Sequence, residues 1–255
     1  MLSHQPTFAR FSICRLPRGR RVAIILQMLS RPVSIALETT CREGGVALGS
    51  GDELVTVLPF DAARRAATQV VARLDELMRS AGLRPVDIDE IYISCGPGSY
   101  TGTRVGVTAA RTLVQAVGCK CIGVPTVEAV AANVSADGIE HLAVVLDARR
   151  GLIYTARFQP AAEGWLQVTA GQTVMPQVLL AEAPRPLHVV GEGLGYCPVE
   201  GPGVVAVDRA LWLPTAQGVW AIGRRLSRRR QFTEPMQLRP IYTGLPEAVR
   251  KWDKA

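Results

Sequence analysis

The stretch IYISCGPGSYTGTRVGVTAARTLVQAVGCKCIGVPTVE, residues 91–128, decides how this chain is read. An apolar run enters the loop Gly96-Pro97-Gly98-Ser99-Tyr100-Thr101-Gly102, an amphipathic segment follows at once, and a second apolar run closes the unit. The spacing predicts a strand over 88–94, a helix over 101–117 and a strand over 121–124. Three glycines in one short loop raise the entropy lost on folding, so such a loop suits a place where backbone passes close to other backbone or to a ligand. The start of the following helix would also favour an anion. Two phosphate-binding signatures fail. A Walker loop needs Gly-Lys-Ser/Thr, and the first lysine of the chain is Lys120. The dinucleotide fingerprint needs its third glycine where Thr101 stands. The bare pattern leaves a packing turn and a ligand loop both open.

The longer string GPGSYTGTRVGVTAARTL, followed by GVPTVEAVA, resembles the TsaB (YeaZ-type) family. Ser34-Ile35-Ala36-Leu37-Glu38-Thr39-Thr40 resembles that family's opening strand, which usually ends Ile-Asp-Thr. Leu146-Asp147-Ala148-Arg149-Arg150-Gly151-Leu152-Ile153-Tyr154 resembles its DAR-x-G-E-V-Y segment. The likeness runs over roughly residues 32–254. It implies a two-lobed, actin-like, ribonuclease-H-related α/β fold with mixed sheets. It also implies a non-catalytic subunit in the synthesis of threonylcarbamoyladenosine, beside the tRNA anticodon. The partners implied are a TsaD-type transferase and a TsaE-type ATPase, with a homodimer when the chain is alone and tRNA met only through the complex. No tightly bound cofactor is implied, although ATP or ADP with magnesium fits the complex interface. The implied location is cytoplasmic, with no membrane.

Composition agrees with a substantial core: 255 residues, 48% of them hydrophobic. The net charge of +7 suggests a nucleic-acid binder until its distribution is examined. Residues 1–32 hold six arginines and no acid, so the rest of the chain is close to neutral. Those residues are expected to be a disordered or misassigned extension, since Pro17-Arg18-Gly19 and the charge favour no packed element. Six cysteines show no framework spacing, and Cys119-Lys120-Cys121 lacks the second pair that a zinc site needs.

Strands are expected over 33–37, 44–49 and 54–58, then a long helix over 61–81 stopped by Gly82. Ala63, Ala67, Val70, Val71, Leu74, Leu77 and Met78 share its inner face. Thr126 is expected to cap another helix. These elements form a first lobe over 33–136. Strands over 142–146, 152–158, 165–174, 187–190 and 204–207, with a helix over 215–227, form a second lobe over 137–255.

The candidate chemistry is sparse. By resemblance, Glu38 occupies the place of a phosphate-facing acid; it either binds magnesium through water or caps the turn at Thr39-Thr40. Asp147 at the matching strand end either faces a nucleotide or pairs with Arg149. The turn Gly191-Glu192-Gly193-Leu194-Gly195 is the remaining support for an independent ATPase or small-molecule kinase, the second reading. TsaD holds its metal with two histidines on the first long helix, whereas this chain has no histidine between His4 and His141. Ser99 lies in no Gly-x-Ser-x-Gly elbow. The arginines at 224, 225, 228, 229 and 230 suit a solvated helix end or an RNA or acidic contact. For partner binding the resemblance points to the first lobe: Ala63, Ala66, Ala67 and Val70 on the first helix, with Gly98, Tyr100, Thr101 and Arg104 on the glycine loop and its helix. The same alanines could equally pack on their own sheet.

Overall fold

The computed structural model describes residues 30–244. In the first lobe, strands β1 (Val33–Glu38), β2 (Gly45–Ser50) and β3 (Glu53–Pro59) form an antiparallel meander. Strands β4 (Glu90–Gly96) and β5 (Lys120–Pro125) then add in parallel on the other side of β1, giving the order β3-β2-β1-β4-β5. Central β1 and β4 are buried along their whole length, as strands covered on both faces must be.

The second lobe repeats the plan. Strands β6 (Leu142–Asp147), β7 (Ile153–Ala161) and β8 (Gly164–Gln167) form a meander. Strands β10 (Leu187–Val190) and β11 (Val204–Ala206) add in parallel, and β9 (Gln172–Val174) pairs with β7. Read from the meander edge, the order β8-β7-β6-β10-β11 matches that of the first sheet. The duplication invisible in the residues is plain in the topology.

Helices α1 (Val70–Ala81) and α2 (Tyr100–Val117) cover one face of the first sheet, with Leu77, Met78, Val107 and Ala110 in a core that includes Ile35, Leu37 and Ile91. The other face is covered by α5 (Ala216–Arg228), through Val219, Trp220 and Ile222 against Ala36, Ala47 and Tyr92. Helix α3 (Thr126–Ala131) places Val127, Val130 and Ala131 against Leu142, Val144 and Phe158 of the second sheet. Beyond that sheet, α4 (Pro176–Glu182) closes the last layer with Leu179 on Val145 and Leu187. The strands of the first sheet all precede residue 136 and those of the second all follow it, whereas helices pack across: α3 on the second sheet and α5 on the first. The segment expected in the second lobe returns to the first: α5 packs there, Leu238 is buried in its core, and Thr233 bridges to Cys121 on β5.

Several boundaries differ from expectation. The helix expected over 61–81 starts at Val70, because Gln69 fixes the preceding loop. Its side chain accepts from Asp61 N at 2.8 Å and donates to Asp61 O at 3.0 Å. Asp61 also accepts from Ala63 N, a local turn that competes with helix. The stop is where expected: Gly82 takes φ +68 and caps the helix in the left-handed region. Residue Val71 is 76% exposed, so it does not belong to the inner face. Thr126 does not cap α3; Pro125 precedes the helix, and the Thr126 hydroxyl turns to Ser94 Oγ at 3.0 Å. The single strand expected over 165–174 is two strands, and α4 had not been expected at all.

The disordered or misassigned extension expected over 1–32 lies, up to residue 29, outside the described residues, as does the terminal segment 245–255. Residues 30–32 are attached, with Arg31 3.4 Å from Glu53 and Pro32 O accepting from Gly51 N at 2.9 Å.

Candidate functional site

The glycine loop is a packing device. A Cβ on Gly98 would stand 2.7 Å from the carbonyl oxygen of Thr40, and one on Gly102 would stand 2.0 Å from that of Thr39. Real side chains do not come so close, so the loop and the first turn of α2 lie on Thr39-Thr40 only because these positions are glycine. Ser99 completes the join: its N–H donates to Thr40 O at 2.7 Å, and its hydroxyl accepts from Gly102 N at 3.2 Å as the helix cap. Of the two readings left open by the pattern, close packing is the one the geometry supports. The end of β1 fills the space over the loop.

The two strand-end acids are already engaged. Glu38 is fully buried; its Oε1 accepts from both the backbone and the hydroxyl of Thr40. Its Oε2 has no hydrogen-bond partner among the described residues, and burial pushes its pKa above the usual carboxylate range. Asp147 accepts from Arg149 N at 2.8 Å and pairs with the Arg149 guanidinium at 3.2 Å, the structural alternative considered for it. Glu192 accepts from Asp147 N at 3.2 Å. The turn around it packs on the second sheet, where a Cβ on Gly193 would lie 2.6 Å from the carbonyl carbon of Leu146. Of the carboxylate oxygens of Glu38 and Asp147, only Glu38 Oε2 is without a partner among the described residues, and it is buried. Among the described residues no group of three or more His, Cys, Asp or Glu is placed to hold a metal ion.

The expected partner face divides sharply. Gly98, Tyr100, Thr101 and Arg104 are exposed. Arg104 lies over the Tyr100 ring at 5.3 Å and donates to its hydroxyl at 3.1 Å. Tyr242 lies against Tyr100, with ring centroids 5.2 Å apart and planes tilted by 32°. Ala63 is exposed and Ala67 half-buried, but Ala66 and Val70 are 7% and 1% exposed within their own core. Those two side chains cannot meet a partner while the lobe is folded, because the loop held by Gln69 turns them inward. Val71, Tyr242 and Met236 are exposed as well, the last beside Arg111. The exposure of Val71 follows from the late start of α1. Residues 232–244 carry prolines and no period, so nothing in their pattern placed them against α2.

Nor is the arginine cluster a free cationic patch. Arg224, Arg225, Arg228 and Arg229 each have a carboxylate partner, drawn from Asp52, Glu90, Glu128 and Glu163.

A family model described as tRNA N6-adenosine threonylcarbamoyltransferase (TsaD) matches residues 54–192. The tRNA threonylcarbamoyladenosine biosynthesis protein TsaB of Bacillus subtilis is 30% identical over 161 residues, covering 62% of this chain and 69% of that protein. The chain belongs to the TsaB family. The Escherichia coli TsaB is 26% identical over 216 residues, covering 82% of this TsaB-family chain and 93% of that one. A crystal structure from Pseudomonas aeruginosa, of an uncharacterized protein with similarity to peptidase YEAZ, superposes with a TM-score of 0.73 at 21% identity. It covers 84% of this chain and 100% of that one. The two-lobed, actin-like α/β fold with mixed sheets, expected from the resemblance, is the fold of this chain. No helix among the described residues is long and apolar enough to cross a membrane.

Proposed function

We propose that this chain is a non-catalytic subunit of the complex that makes threonylcarbamoyladenosine on tRNA, where it binds and activates a TsaD-type transferase. The observation that carries the reading is a contrast within one lobe. The glycine loop and the strand-end acid Glu38, which would serve a nucleotide, are closed onto the protein itself. The helix that grows out of the loop presents exposed Tyr100 and Arg104 to solvent, with Tyr242 of the C-terminal segment against them. Aromatic and arginine side chains are the commonest anchors of protein interfaces. The names borne by the B. subtilis and E. coli relatives supply the pathway.

In this reading tRNA is met through the complex, a TsaE-type ATPase joins it, and any ATP or ADP with magnesium is held by groups the partners bring. Alone, the chain pairs with a second copy through the same lobe. Reconstitution from the chain, a TsaD-type transferase, a TsaE-type ATPase and the adenylate-forming enzyme tests the proposal: omission of the chain should abolish modification. Full-rate modification without it, or ATP turnover by the isolated chain, would overturn the reading.

A further inference from the structure

Besides the packed seam between α3 and α5, two sets of contacts cross between the lobes, and the strand registers place them at opposite ends of both sheets. One set gathers where β1 and β6 begin. Asp52, in the β2–β3 turn beside Val33, accepts from Arg224 Nε at 2.9 Å and Arg228 Nε at 2.8 Å. Both arginines belong to α5, which lies on the first sheet. The same Arg228 reaches Glu163 Oε1 at 3.3 Å, and Arg229 reaches Glu163 Oε2 at 2.9 Å. Arg225 donates to the carbonyls of Glu163 and Trp165 at 3.0 and 3.1 Å. Glu163 turns the β7–β8 hairpin, and Phe158 of that hairpin pairs with Leu142 at the start of β6. One guanidinium thus joins a hairpin turn from each lobe.

The other set lies where β4 and β6 end. Ile241 N donates to Cys95 O at 2.7 Å, and its carbonyl oxygen lies where a Cβ on Gly96 would come within 2.5 Å. Tyr242 lies against Tyr100. The next residue crosses over: Thr173 Oγ1 on β9 donates to Thr243 O at 3.0 Å. Strand β9 pairs with β7 at Ile153, opposite Asp147 at the end of β6.

Two-lobed proteins close around a ligand by hinge rotation or shear of one lobe against the other, which needs contacts at one or both ends to give way. Here both ends are tied. We propose that the two clamps lock the lobes together, so that this chain is a rigid body which does not hinge around a small-molecule ligand. The proposal is independent of the partner assigned above. The clamps differ in chemistry, which makes them separable: the ion pairs of Arg228 and Arg229 with Glu163 are screened at high salt, whereas the strap at 241–243 holds by ring contact and neutral hydrogen bonds.

Amide hydrogen exchange on the full chain tests this, read at the α3–α5 seam (residues 126–131 and 216–222), which opening of the lobes would expose. Arg225→Ala with Glu163→Ala, which removes every contact of the arginine clamp across the lobes, or Thr173→Val with Tyr242→Ala, should leave seam exchange within about twofold of the unsubstituted chain. The four substitutions together should speed it tenfold or more, with circular dichroism unchanged. Should that variant unfold, the strap variant carrying Arg225→Ala in 1 M salt releases both clamps without Glu163→Ala and should show the same acceleration, while Arg225→Ala alone in 1 M salt should not. Seam exchange that accelerates tenfold on release of one clamp, or stays unchanged on release of both, would overturn the lock.

Discussion

Thr40 joins the strand-end acid to the glycine loop: its hydroxyl donates to Glu38 Oε1 at 2.6 Å, while its carbonyl accepts from Ser99 N at 2.7 Å. The place where related folds present a carboxylate to a phosphate is thus a closed knot of protein groups.

A pH dependence follows from that knot. Burial raises the folded-state pKa of Glu38, so the folded chain binds this proton more tightly than the unfolded chain does. Stability from this group is therefore fully present below the unfolded carboxylate range and declines as pH rises toward the folded pKa. Glu38→Gln removes the titration and keeps an acceptor for Thr40. Urea midpoints measured across pH should fall with rising pH in the unsubstituted chain relative to the variant. Parallel curves would show that the carboxyl ionises without penalty.

Gly102 and Gly118 make a matched pair for the packing claim. A methyl at 102 meets the Thr39 carbonyl, whereas one at 118 (φ +77) meets nothing within 4 Å. Gly118→Ala should cost about 1 kcal/mol for the left-handed backbone. Gly102→Ala should cost roughly 2–3 kcal/mol from overpacking, or prevent folding. Equal losses in chemical denaturation would refute the close approach.

Adjacent residues on α1 separate interface from core. Val70 is 1% exposed and Val71 76%. Val71→Glu should leave a folded chain and convert a self-associated form to monomer, because a twofold contact brings the charge in twice. Val70→Glu should unfold the lobe, since it buries an unpaired charge. Light scattering and circular dichroism read both. A folded dimer carrying Val71→Glu would exclude this face of α1 from the contact.

Tyr100→Ala should weaken binding of a TsaD-type partner about tenfold, equivalent to roughly 1.4 kcal/mol, with the melting transition little changed. Calorimetric titration measures it. Undiminished affinity would move the partner surface elsewhere.

Thiol chemistry offers a check on the first core. Burial pushes the thiol of Cys95 up to about 12 and that of Cys119 up to about 11. The thiolate is the reactive form, so both should resist alkylation at pH 8 in the folded chain and react on unfolding. Mass spectrometry after timed labelling distinguishes the two, and rapid native labelling at Cys95 would contradict its burial.

What the sequence disclosed depended on period and punctuation. Alternation and apolar runs located the meander of the first lobe, and Gly82 stopped its first helix where it ends. Gly98 and Gly102 announced a close approach without saying whether backbone or ligand came close, because the answer lies in Thr39-Thr40, some sixty residues earlier. The start of α1 was misread because Ala62 to Ala67 have good helix propensity, while the side chain that overrides it, Gln69, acts through the backbone of Asp61. The contact of Tyr242 with Tyr100 was not legible for a different reason. It is fixed by a strap with no repeating pattern, held by single bonds to Cys95 and Thr173.

The crossing of α3 onto the second sheet and of α5 onto the first bears on how the chain can be cut. A fragment ending near residue 136 would leave Ala36, Ala47 and Tyr92 facing water, because the helix that covers them is made about eighty residues later. A fragment beginning there would lack Val127, Val130 and Ala131, which complete its own core. Neither half carries its complete core. Denaturation should therefore pass through one cooperative transition, and two separately produced halves should acquire structure only when mixed.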